Sequence, residues 1–170
     1  GGGILGRLDF EDTGPGHFYA EVSARAGGLH NYYHNDDMQD AWGVRASYDN
    51  LVPYFSMHGG LGYIFDFFEK AHLDLGVKYF WTHTYGDDIT LSTGEPLDFK
   101  DVDSNRLRAG ARVSDDLNEY ISPYIGFAYE HEFNGRAEGT VHDLDISAPS
   151  MRGDTGIGEL GFTLTPVKDV

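Results

Sequence analysis

The sequence predicts an all-β chain: about seven to eight strands in the pattern of an antiparallel up-and-down transmembrane β-barrel. Three observations predict it. Apolar and polar residues alternate with a period of two over long segments, the signature of a strand with two different faces. No stretch carries the periodicity of an amphipathic helix of normal length. Short turns alternate with long polar connections, so one end of the sheet is tightly turned and the other bears long loops, the habit of outer-membrane barrels.

In chain order, residues 4–10 form a short strand closed by the turn-forming run Asp12-Thr13-Gly14-Pro15-Gly16. In residues 17–29, Phe18, Ala20, Val22, Ala24 and Ala26 alternate with His17, Tyr19, Glu21, Ser23 and Arg25. Residues 31–40 are polar, contain Asp36, Asp37 and Asp40, and read as a loop. Residues 41–48 read as a short strand extending the hairpin arm, with Trp42, Val44, Ala46 and Tyr48 in phase. Pro53 opens the strand 54–67, and a turn of about four residues leads to the strand 71–85. Residues 86–103 form a long acidic connection. A charged hairpin follows: residues 104–113 place Leu107, Ala109, Ala111 and Val113 opposite Arg106, Arg108 and Arg112. Across a short polar turn, residues 121–133 place Ile125, Phe127, Tyr129 and Phe133 opposite Glu130 and Glu132. Residues 134–152 are a second long connection, with a strand extension around 141–146, and residues 156–165 are the last strand.

Two readings of the faces stand. Either the polar face meets bulk water and the apolar face a core, or the apolar face meets lipid and the polar face a lumen. Loop asymmetry and strand length favour the second, because soluble sandwiches have shorter strands and less consistent asymmetry. On that reading Arg106, Arg108, Arg112, Glu130, Glu132, Lys78, Asp74 and Glu159 line a lumen, on a face without aromatics. Their first role is to hold register and keep the interior wet. Phe127, Tyr129, Leu75, Val77 and Trp81 face lipid, with aromatics near strand ends as interfacial girdles.

The chain has 170 residues, enough for one domain over 1–170. A formal charge of -16 argues against a nucleic-acid partner, whose phosphates need a basic surface. The absence of cysteine excludes disulfides and thiolate metal sites. No apolar run is long enough for a transmembrane helix, which leaves alternating barrel strands untouched. The chain opens Gly1-Gly2-Gly3 without a secretory leader pattern, so a piece of a longer protein is expected.

No enzyme chemistry emerges. His30 and His34, near Asp36 and Asp37, fall in a strand end and loop rather than on the helix that would let them share a metal. In Glu130-His131-Glu132 alternation sends the histidine outward and both carboxylates inward. No nucleophile elbow is present and the serines lack His-Asp companions. The acidic connections lack the ligand spacing of an EF-hand and read as solvated loops. No catalytic residue, metal or cofactor is assigned.

Six segments resemble the autotransporter β-domain, the translocator of type V secretion. They are HFYAEVSARAGGLHNYY (17–33), HGGLGYIF (58–65), LDLGVKYFWT (73–82), SNRLRAGARV (104–113), SPYIGFAYEHEFNG (122–135) and DTGIGELGFT (154–163), in the order that family uses. The resemblance implies a twelve-stranded barrel in the bacterial outer membrane that carries an N-terminal passenger outward. It implies as partners outer-membrane lipid, the chain's own passenger segment and the barrel-assembly machinery. The family's first strands, its lumen-plugging helix and its closing strands with a terminal aromatic have no counterpart here, so a fragment with unpaired edges is expected. Some members cleave their own passenger, but the threaded segment that takes part is lacking and no such role is carried over. A non-secretory outer-membrane barrel and a soluble all-β binding protein stand as the alternatives.

Overall fold

A computed structural model describes residues 1–11, 14–68, 70–141, 144–146 and 149–164. Among them are eleven strands and no helix: β1 (Gly2–Asp9), β2 (Gly16–Gln39), β3 (Arg45–Asp66), β4 (Ala71–Thr84), β5 (Asp87–Thr90), β6 (Pro96–Phe99), β7 (Val102–Asp115), β8 (Ile121–Glu132), β9 (Gly139–Val141), β10 (Leu144–Ile146) and β11 (Gly153–Leu164). Seven form one curled antiparallel sheet in the order β1-β2-β3-β4-β7-β8-β11, half of a barrel wall. The other four form a small sheet, β10-β9-β6-β5. Each neighbour in the large sheet is the next long strand in sequence, the up-and-down connectivity that the turn spacing predicts.

One end carries the short connections 10–15, 67–70 and 116–120. The last is stitched to its neighbour: Asp116 N–H donates to the Lys70 carbonyl at 2.8 Å, and the Ser122 hydroxyl donates to Asp116 Oδ1 at 2.5 Å. That hydroxyl, joined by His72, holds the Asp116 carboxyl below the usual carboxylate range. Asp12 and Thr13 of the first turn, and Thr165 at the end of the predicted last strand, lie outside the described residues.

The other end departs from the sequence expectation. Residues 31–39 are strand, because β2 runs on to Gln39, paired with β3 to Asn35↔Ala46 and, past an irregularity, at Gln39↔Arg45. Polar composition suggests a loop there only if one face must be apolar. In this arm the half-buried residues, Tyr33 and Asn35, carry polar groups just as the exposed ones do, so the alternation carries no hydrophobic signal. The arm begins where the β3–β4 ladder ends, at Tyr54↔Thr84, next to Pro53, which has no N–H to donate. Residues 41–44 are turn rather than strand. Asp40 Oδ1 accepts the N–H groups of Trp42 and Val44 at 2.8 and 2.9 Å, and Gly43 takes φ 79°, so β3 starts only at Arg45.

The two long connections are likewise not plain loops. Residues 86–103 hold β5, β6 and the start of β7, and residues 134–152 hold β9 and β10. Strands of three or four residues have too few side chains to show a period. Pairing across sequence makes them, as in Leu97↔Val141 and Phe99↔Gly139. Serine bonds clamp the small sheet to the arm: Ser92 N–H donates to the Ser47 carbonyl at 3.0 Å, and Ser47 N–H to Ser92 Oγ at 2.9 Å.

Burial in the large sheet is inverted relative to a water-soluble fold. Leu160 is 85 % and Phe127 64 % exposed, whereas Glu130 and Glu132 are buried. Among the described residues Tyr19 is the large apolar-bodied residue most enclosed, at 2 %.

Candidate functional site

The strand register collects the predicted polar residues into rows that cross the sheet. One row reads Arg7, Glu21, Gly60, Lys78, Arg108, Glu130 and Thr155, each directly opposite the next. Signs alternate except at Lys78 and Arg108, and each of these cations turns to a carboxylate on its outer side. Arg108 donates Nε and Nη2 to Glu130 Oε2 at 2.8 and 2.7 Å. Lys78 reaches across the intervening strand to Glu21 Oε1 at 2.6 Å. Gly60 permits that crossing, because a Cβ there would lie 3.0 Å from Lys78 Cγ and 3.2 Å from Glu21 Cγ. His58 Nε2 also lies 3.2 Å from Glu21 Oε1.

A second row uses the same device. It reads His17, Ile64, Asp74, Arg112, Gly126 and Glu159. Arg112 Nη2 donates to Glu159 Oε2 at 2.5 Å across the glycine of the strand between them. Between these two rows lies a nearly bare one: Asp9, Tyr19, Gly62, Gly76, Gly110 and Ala128. The Tyr19 ring lies in the space the glycines leave, and its hydroxyl donates to Asp74 Oδ1 at 2.8 Å. An aromatic filling a glycine gap pins register as a cross-strand pair does.

Above the first row, Glu132 is held by three donors: the Ser104 hydroxyl at 2.5 Å and the N–H groups of Asn105 and Asn134, each at 2.9 Å. Arg106 sits between the acids, 3.6 Å from Glu130 and 3.8 Å from Glu132, and its Nε has no hydrogen-bond partner among the described residues.

All eight predicted polar residues therefore share one face. Residues from all seven long strands line a concavity of about 430 Å³ there, which marks that face as the inner one of the curl. The face is not free of aromatics, contrary to the expectation. Arg7 stacks over Tyr19 at 3.9 Å, Arg112 over Tyr124 at 4.5 Å, and Arg108 and Arg106 over Phe80 at 5.1 and 5.6 Å. Guanidinium groups gain from aromatic faces, so aromatics belong beside them. Arg7, Tyr19, Glu21, His58 and Phe80 are the members that sequence reading left unassigned. Parity alone places Glu21 and His58 there, whereas Phe80 breaks the polar alternation and hides.

Phe127, Tyr129, Leu75, Val77 and Trp81 share the opposite face. Toward the long-loop end, polar groups succeed them. The Trp81 indole donates to Asp103 Oδ1 at 3.2 Å, and the Tyr129 hydroxyl donates to Asp154 Oδ1 at 2.5 Å. His131 is on this outer face too, 2.5 Å from Asp154, as alternation predicts. His30 and His34 lie within β2, each against one carboxylate, Asp49 at 2.5 Å and Asp36 at 3.0 Å. Among the described residues no three metal-ligating side chains converge.

Chemically, the inner face is a wall of paired charges. Single half-exposed pairs contribute little, ~0–1 kcal/mol each, so their collective effect is polarity and register rather than stability. A family model described as the autotransporter beta-domain matches residues 2–169. No curated protein and no solved structure matches the chain.

Proposed function

Because the chain belongs to the autotransporter beta-domain family, with an outer-membrane translocator role in type V secretion, we propose that it forms part of the wall through which its own N-terminal passenger crosses the bacterial outer membrane. One observation carries this reading: the curled sheet is charged and paired on its inner face and apolar and bare on its outer face. That arrangement suits a wet passage surrounded by hydrocarbon.

On this proposal Arg106, Arg108, Arg112, Glu130, Glu132, Lys78, Asp74 and Glu159 line the lumen. They keep it hydrated and present donors and acceptors to an extended segment. Phe127, Tyr129, Leu75, Val77 and Trp81 face lipid, and Trp81 and Tyr129 use their polar tips at the membrane boundary. The whole of 1–170 is one barrel segment with a transport rather than a catalytic role. The barrel-assembly machinery inserts it.

The test uses the full-length gene product carrying an epitope in the region preceding this domain. The expected outcome is epitope removable by protease on intact cells, together with an outer-membrane band that shifts on boiling. A folded, boiling-sensitive band whose epitope stays protected in intact cells would overturn the translocator reading in favour of a non-secretory barrel. A soluble product without the shift would overturn the lipid-facing assignment as well.

A further inference from the structure

Beyond the sheet, the β2–β3 arm and the small sheet enclose a second space that the translocator reading does not use. It is a cleft of about 690 Å³, a volume typical of small-ligand sites. Tyr33, Met38 and Tyr48 form the arm wall, and Leu97, Phe99 and Val141 form the opposite wall. The walls are tied together rather than merely adjacent. Tyr33 stacks on Tyr48 at 5.5 Å, and Tyr48 meets Phe99 at 6.2 Å. Asn35 Nδ2 donates to the Tyr33 hydroxyl at 3.0 Å, and Ser92 Oγ donates to the Arg45 carbonyl at 2.5 Å. A site held this way loses little entropy on binding.

The charge of the lining is one-sided. Asp37, Asp40 and Glu95 contribute carboxylates, and among the described residues that line it there is no lysine, arginine or histidine. None of the three carboxylates forms an ion pair among the described residues: Asp40 caps its own turn, and Glu95 accepts the Thr93 hydroxyl. The nearby Arg45 is engaged with Asp36 at 2.8 Å. Aromatic faces and unpaired carboxylates around one apolar space attract the same kind of guest. The aromatics favour a cation over their faces, and the carboxylates favour it again.

We propose that this cleft binds a small organic cation with an aromatic or apolar body. The volume sets its size, the six apolar residues take its body, and the three carboxylates take its charge. Nothing in this depends on passage of a polypeptide through the lumen.

The experiment uses the full-length protein in lipid nanodiscs, which leave both ends accessible. Naphthylmethylammonium is the cationic probe and naphthalenemethanol its neutral counterpart. Binding is followed by fluorescence anisotropy against protein-free nanodiscs. The expected result is saturable binding of the ammonium, about tenfold tighter than the alcohol and weakening as salt rises. The double variant Asp37→Asn with Glu95→Gln is expected to erase that preference while the boiling shift of the barrel persists. Should the double variant lack the shift, Asp37→Asn alone, at an exposed position, is read in its place, with at least a threefold loss expected. Equal binding of the two probes, a preference that survives the substitutions, or no saturable binding would each overturn the proposal. Binding of a lysine-rich peptide without binding of the ammonium would overturn it too, in favour of a peptide partner.

Discussion

Glu132 is 6 % exposed and satisfies a hydroxyl and two backbone N–H groups at the long-loop end of β8. Its neighbour Glu130 is about as enclosed but spends its bonds on Arg108, a side chain about a third exposed that stacks over Phe80. The two acids look alike in sequence and differ in what their loss exposes. Glu132→Ala leaves three part-buried donors and the already unsatisfied Arg106 Nε without their acceptor. Unmet buried donors cost about 1–3 kcal/mol. Glu130→Gln keeps the volume and an acceptor for Arg108, whose guanidinium is about a third exposed and can still be hydrated, so its loss is the smaller of the two. The temperature at which the folded band of the full-length protein converts to the unfolded one on a detergent gel is therefore expected to fall clearly for Glu132→Ala. It is expected to stay nearly unchanged for Glu130→Gln. Equal shifts would mean that charge, not donor satisfaction, holds this corner together.

Strands β2, β3 and β4 are locked by a glycine row rather than by apolar pairs. A Cβ on Gly62 would fall 2.3 Å from Tyr19 Cζ, and one on Gly76 2.8 Å from its hydroxyl. Gly62→Ala must therefore swing the ring out and break its bond to Asp74, a strain of roughly 1–3 kcal/mol. Gly59, three residues earlier on the outer face, has nothing within 4 Å of its would-be Cβ, so Gly59→Ala is expected to be neutral. The same gel transition compares the two. This lock also marks where sequence reading stops. Alternation made the long strands and the inner residues from Arg106 to Glu132 legible, because adjacent residues met opposite environments. It failed for residues 31–39, where the half-buried Tyr33 and Asn35 are polar like their exposed neighbours. It failed for β5, β6, β9 and β10, which exist only through partners far along the chain. The pairs Lys78–Glu21 and Arg112–Glu159 were not legible either. Each spans two strands and depends on register and on a glycine between, and neither is visible until the strands are aligned.

At the scale of the whole molecule, the apolar residues lie on the outside of the curl, and their extent along a strand measures what they face. Leu73, Leu75, Val77, Tyr79 and Trp81 form one uninterrupted outer column on β4 before His83 and its partner Asp103. Eight steps at ~3.3 Å make about 26 Å along the strand. At a barrel tilt of ~40° that projects to about 20 Å, and the reach of the end side chains brings it close to the ~25 Å apolar band of outer-membrane barrels. A core-facing column has no reason to stop at that height or to end in a tryptophan bonded to a carboxylate. Phe127 sits within this band, opposite Ala111 and Gly158. On the proposed lipid-facing assignment, an arginine there would meet hydrocarbon at a cost of roughly 2–4 kcal/mol. Leu117 is as exposed as Phe127 but belongs to the turn at the tight end, beyond the band. Phe127→Arg is expected to abolish the boiling-sensitive band of the full-length protein in outer membranes, and Leu117→Arg to leave it intact. Were both tolerated, the outer face would be meeting water in the assembled protein. Were both to fail, the defect would lie in folding of the chain rather than in contact with lipid. Only the split outcome ties the inverted distribution of apolar surface to a membrane.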